Sequence, residues 1–92
     1  MIQPESHPWS DMLGKTVVVD LAASVVYIGT LAAIDDYSLT LADCDVHDLM
    51  NTSRQAYLLE CRRNGLVPTR KSARMRMASV LGISPLDDVI LF

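Results

Sequence analysis

Arg74 and Arg76 stand one residue apart in a stretch of alternating character within this 92-residue chain. On an extended backbone such residues are neighbours on one face, about 6.5 to 7 Å apart. A guanidinium pair of this kind can contact phosphates, and binding through it would be strongly salt-dependent. It can equally be neutralised by acids of an adjoining strand or of a neighbouring subunit. Arg62, Arg63, Arg70 and Lys71 extend the basic segment, so six of the eight Lys and Arg residues fall between positions 62 and 76. Residues 1–48 hold eight acids against one lysine, whereas residues 49–92 hold seven bases against three acids, and the net charge is −3. Any anion-binding surface must therefore be built from the second half.

Other reactive side chains are sparse. His7 and His47 are the only imidazoles, and no glycine-rich phosphate loop, nucleophile elbow or paired metal motif accompanies them. Enzymatic chemistry is poorly supported, and no cofactor is implied. Asp43-Cys44-Asp45-Val46-His47-Asp48 contains metal-ligand types, but they are mixed in hardness and fall in an apparently irregular stretch. A solvated acidic loop is the simpler reading. Cys44 and Cys61 are spaced neither as a disulfide framework nor as a zinc pair, and read as reduced, partly buried thiols.

The length allows one domain, residues 1–92, with a single small core. Half of the residues are apolar, which excludes a disordered chain, yet the longest apolar runs are far below the roughly 20 residues that cross a bilayer. Residues 1–10 have no basic start followed by an apolar stretch, which points to a cytoplasmic protein.

Residues 6–14 predict a short N-terminal helix, with Pro8 in its first turn, Gly14 after it, and Trp9, Met12 and Leu13 as its buried stripe. The period then changes to two. Residues 16–21 form a strand with Val17, Val19 and Leu21 on one face, and residues 25–34 a longer one in which Gly29 marks a bend or bulge. A third strand over residues 37–41 puts Tyr37, Leu39 and Leu41 on one side and the hydroxyls of Ser38 and Thr40 on the other. Residues 54–63, preceded by Thr52-Ser53 and stopped by Asn64-Gly65, predict a helix of about three turns. From Ser72 a fourth strand alternates Arg74 and Arg76 with Met75 and Met77; a turn over residues 82–85 leads to a short final strand, Val89-Ile90-Leu91-Phe92.

The run Gly29-Thr30-Leu31-Ala32-Ala33-Ile34-Asp35-Asp36-Tyr37 resembles the first motif of the Sm-like family, with its glycine, an apolar residue two later and an aspartate six later. The match covers roughly residues 6–43, and the aromatic Tyr37 brings it nearer the bacterial Hfq branch. The resemblance implies a mainly β fold: a small, five-stranded, strongly bent antiparallel barrel of the Sm-like (SH3-like) type. Here it would carry an N-terminal helix and a helix inserted between strands three and four. The second motif matches weakly, because Leu81 before Gly82 stands where the family has arginine before glycine at the end of strand four, or lysine before histidine in the Hfq branch. No asparagine ends the first motif, where Ser38 or Leu39 stands.

Family resemblance further implies a homo-oligomeric ring in which strand four of one subunit pairs with strand five of the next. The chain offers its own reason, since an apolar strand without charge or proline is a sticky edge unless it is paired. Val89, Ile90, Leu91 and Phe92, with Met75 and Met77, are the expected interface; the alternative is that residues 89–92 complete their own barrel. Single-stranded RNA is the implied partner, with Tyr37 stacking on a base and Ser38, Arg74 and Arg76 beside it. Against this stands a Tyr37 that merely packs on the barrel. Asp35 is expected to bind backbone amides at its turn. A ring that keeps its assembly and its protein contacts but has lost RNA recognition is the competing reading.

Overall fold

The computed structural model describes residues 7–22, 24–50 and 53–91. Five antiparallel strands make one strongly bent sheet: β1 (Thr16–Leu21), β2 (Val25–Ile34), β3 (Ser38–Asp48), β4 (Arg70–Arg76) and β5 (Val80–Pro85), in the order β4-β3-β2-β1-β5. The mainly β, five-stranded architecture is therefore as expected, and so is the inserted helix α1 (Arg54–Asn64) between β3 and β4. Ser53 caps α1 by accepting from the Ala56 N–H, and Gly65 ends it at φ +83°, a backbone conformation that favours glycine.

The N-terminal helix is smaller than predicted. Only Ser10–Met12 is helical, as a 3-10 turn, because the local bonds close over three residues, from Ser10 N–H to His7 O and from Leu13 N–H to Ser10 O. Ser6 lies outside the described residues. The predicted stripe survives: Met12 is buried, and Trp9 and Leu13 pack beside it.

Bending follows from β2 and β3. Pairing slips between Ile28 and Thr30 and again between Leu31 and Ala33, so Gly29 sits in a bulge as expected. A Cβ at Gly29 would lie 2.5 Å from Cys44 Cβ, which means that the two strands cross with room for no side chain. Val17, Val18 and Val19 all have zero exposure, because β1 is covered on both faces. Val17 and Val19 join Leu31, Leu39, Leu41 and Cys44 in one core. Val18 joins Val26 and Ile28 in a second core, sealed by Leu58 and Cys61 of α1 and by Leu86.

Three strand assignments differ from expectation. β3 runs on through the acidic stretch to Asp48, pairing Asp45 with Ile28 and His47 with Val26. Its carboxylates are tolerated there because α1 and Thr69 supply donors to Asp45. β4 stops at Arg76, where a 3-10 turn (Met77–Ser79) intervenes. The fifth strand is Val80–Pro85, paired with β1, and not Val89-Ile90-Leu91-Phe92. After a further 3-10 turn (Leu86–Asp88), Val89 and Leu91 pack on the second core while Ile90 is exposed; Phe92 lies outside the described residues. Arg62 fixes this tail by donating to Leu86 O and, at 2.6 Å, to Val89 O. β4 and β5 are the free edges of the sheet.

Candidate functional site

The turn from β2 into β3 builds the site. Asp35 accepts from the N–H groups of Tyr37 (2.7 Å) and Ser38 (2.9 Å), and its own N–H donates to Ser38 O at 3.0 Å. These two backbone donors, helped by the nearby charges of His7 and Arg74, hold the Asp35 carboxyl below its usual range. Its role as the organiser of the turn is the one expected. With the turn fixed, Tyr37 projects into solvent and is 84% exposed, so it does not pack on the barrel.

β4 brings the cations alongside. Ser38 is paired with Arg76 and Thr40 with Arg74, while Leu39 opposite Met75 and Leu41 opposite Ala73 face the core. The same register continues one step further, where the Met77 N–H donates to Tyr37 O at 2.9 Å. Tyr37, Ser38 and Arg76 thus line one groove, together with Asp36, Met77 and Ala78. Arg74 lies in an adjoining depression with Ser38, Thr40 and Asp35. All four residues expected to contact RNA therefore come together, on one side of β3 and β4. Among the described residues neither the Arg74 nor the Arg76 side chain has an ion pair or a hydrogen bond; the one salt bridge is Arg54–Asp20, at 2.8 Å. Among the described residues, the alternative in which acids of β3 form ion pairs with these arginines is not seen.

Sequence reasoning missed Asp36, Met77 and Ala78 as groove residues, and it misplaced the arginine of the second motif. Because strand four ends at Arg76 and not near Leu81, the cation at that strand's end is present, and Met77 follows it where the family pattern has glycine. Leu81 belongs to β5 and is 74% exposed. Leu39 is fully buried, so no side chain from that position reaches the groove.

The expected interface residues divide. Met75 is buried in its own chain's first core and Met77 packs partly against it. Val89 and Leu91 are held on the second core, which removes the reason for treating residues 89–91 as an edge strand; the edge they were meant to supply is β5.

A second polar cluster joins β3 to α1. Asp45 accepts from the Tyr57 hydroxyl at 2.6 Å and from Thr69 Oγ1, and the His47 and Tyr57 rings stack with centroids 4.1 Å apart. Burial raises the Asp45 carboxyl, but the Thr69 and Tyr57 donors and a backbone N–H outweigh it and the net shift is downward. Burial, with the bond to Asp45, drives Tyr57 upward. The thiols of Cys44 and Cys61 are also pushed up, chiefly by burial, which makes them poor nucleophiles. No group of three or more His, Cys, Asp or Glu able to hold a metal occurs among the described residues, and no described helix is long and apolar enough to cross a membrane.

No protein-family model and no curated protein matches the chain. Solved structures do. A Pyrococcus abyssii Sm protein in complex with a uridine heptamer superposes with a TM-score of 0.60 at 24% identity, over 87% of this chain and 99% of that one. A heptameric archaeal Sm protein gives a TM-score of 0.56 at 29% identity over 82% and 90% of the two chains. An Sm-like protein from Archaeoglobus fulgidus gives 0.59 at 21% identity over 92% and 96%. These relatives are archaeal, and none of the three is from the bacterial branch that Tyr37 suggested. In fold and strand order the chain is similar to these Sm and Sm-like proteins, and the Sm-like fold is the one the first motif's spacing implied.

Proposed function

We propose that the chain assembles into a homo-oligomeric ring and binds single-stranded RNA in the cytoplasm, with Tyr37, Ser38, Arg74 and Arg76 as the contact surface. The observation that carries this reading is a tyrosine 84% exposed, in one groove with an arginine that has no partner of its own. An aromatic face offered to solvent beside an unpaired guanidinium is what a single-stranded nucleic acid needs, a stacking platform and a phosphate contact. Two similar chains support it: one was solved with a uridine heptamer, the other as a heptamer. Ring closure would use the free edges β4 and β5, whose outward backbone groups have no partner strand among the described residues.

The test is anisotropy of labelled oligouridine and oligoadenine at two salt concentrations, with light scattering for mass. Binding that weakens steeply with salt is expected. Tyr37→Ala should cost about 1 to 3 kcal/mol per stacked base while leaving mass and circular dichroism unchanged. Affinity that fails to appear even near ~50 mM salt removes the RNA reading, and a ring that acts through protein contacts then takes its place.

A further inference from the structure

We propose that the groove between Tyr37 and Arg76 selects guanine, an assignment that rests on the RNA reading above and specifies its base. Asp36 and Arg76 line this groove, a space of about 490 Å³, from opposite electrical signs. Neither forms an ion pair with the other or with any described residue, and neither side chain has a hydrogen bond among the described residues. Asp35 is unavailable, since its carboxylate already serves two backbone N–H groups. The groove therefore presents one free carboxylate, an acceptor only, and one free guanidinium, a donor only, and the exposed Tyr37 ring lines the same space.

A planar ligand that satisfies both must carry adjacent donors on one edge and adjacent acceptors on another. Guanine does: N1–H and the N2 amino group can be taken by a carboxylate, while O6 and N7 accept the two donors of a guanidinium. Adenine sets a donor beside its N7 acceptor and would offer Arg76 one mismatched contact. Uracil has a single N–H flanked by two carbonyls, which Asp36 would repel. Cytosine offers one donor group beside a ring acceptor.

The lining suits a planar ring. Tyr37 supplies a π face, and the Met77 thioether supplies a soft, polarizable surface of the kind that packs well on aromatic rings. The bond from Met77 N–H to Tyr37 O, with Ser38 paired to Arg76, fixes the backbone spacing of these walls before any ligand arrives.

The experiment compares labelled U6, A6 and an alternating guanine-uracil hexamer by anisotropy at ~50 mM salt; the alternation keeps guanines from assembling among themselves. The alternating hexamer should bind at least about tenfold tighter than the other two. Inosine, which lacks the N2 amino group, and 7-deazaguanine, which lacks N7, should each remove most of that gain. Asp36→Asn should bring the alternating hexamer down to the U6 level measured on the same variant, and Arg76→Lys, which keeps charge but not the fork, should do likewise. Measurable binding with equal affinity for all three hexamers overturns the guanine assignment and leaves the RNA reading standing. Absence of binding to any of them overturns the RNA reading and the assignment together.

Discussion

Gly29→Ala is the most demanding test of the fold that holds the site, because its sign is set by competing effects. Gly29 is not among the glycines of positive φ, so alanine meets no backbone penalty there. The unfolded chain would even favour the change, since replacing glycine removes about 0.4 to 1 kcal/mol of conformational entropy. Space decides the outcome. The added methyl would stand 2.5 Å from Cys44 Cβ, 3.0 Å from Cys44 Cα and 3.1 Å from Ala42 O, and two of these three atoms are backbone. Carbon atoms need roughly 3.5 Å or more, so β2 and β3 must separate by about 1 Å where their pairing is already bulged.

Overpacking costs about 1 to 3 kcal/mol when side chains can yield. Here backbone must yield, which puts the net loss near ~3 kcal/mol and the drop in melting temperature at about 12 to 24 °C for a domain of this size. Thermal unfolding followed by circular dichroism measures it. Cys44→Gly in the same chain removes only the shortest contact, so the double variant should be less destabilised than the two single changes added together, by about 1 kcal/mol. A Gly29→Ala protein within ~0.5 kcal/mol of the parent, or a strictly additive double variant, would refute the close crossing of β2 over β3.

Tyr57→Phe keeps the ring that stacks on His47 but removes the bond to Asp45; a loss of about 1.5 kcal/mol, read from the same melts, is expected. Acid should weaken the fold through Asp45: its folded pKa lies below its ordinary value, so the stabilisation is present above that value and is lost as pH falls through the folded one. Urea midpoints should accordingly drop below pH ~4, and less so in Asp45→Asn. Leu81→Lys puts a charge on the exposed face of an edge strand and should lower the mass seen by light scattering without changing the circular dichroism spectrum.

β1, β2 and α1 were legible because each carries a local signal that no distant contact had to complete. A β-branched run ends at Leu21, Gly29 marks the bulge, and Ser53 and Gly65 bracket the helix. β3 beyond Leu41 was illegible for the opposite reason. Asp43, Asp45 and Asp48 look like loop residues until Tyr57 and Thr69, from elsewhere in the chain, satisfy Asp45. The β4–β5 boundary was hidden because the three residues of the Met77–Ser79 turn do not interrupt a period of two. Pro85 also looked like a turn, whereas it ends an edge strand opposite Val17, a place where proline is tolerated. That one misplaced boundary displaced the second-motif arginine from Arg76 to Leu81, and it left Val89 and Leu91 looking like a strand when they are a tail clamped by Arg62.

The inserted helix explains why so short a chain can leave its groove and its sheet edges uncovered. An 11-residue helix is marginal in water, so α1 exists because it is anchored. Arg54 bonds both oxygens of Asp20 on β1, Tyr57 reaches Asp45 on β3, and Arg62 holds the tail after β5. Between these anchors Leu58 and Cys61 cover Val18, Val26 and Ile28, the face of the sheet that would otherwise expose three apolar side chains from two strands. None of these contacts touches Tyr37, Arg74 or Arg76, and none pairs with the backbone of β4 or β5 as a further strand. The insertion therefore adds a second core while occupying neither free edge nor groove, so both remain available to partners.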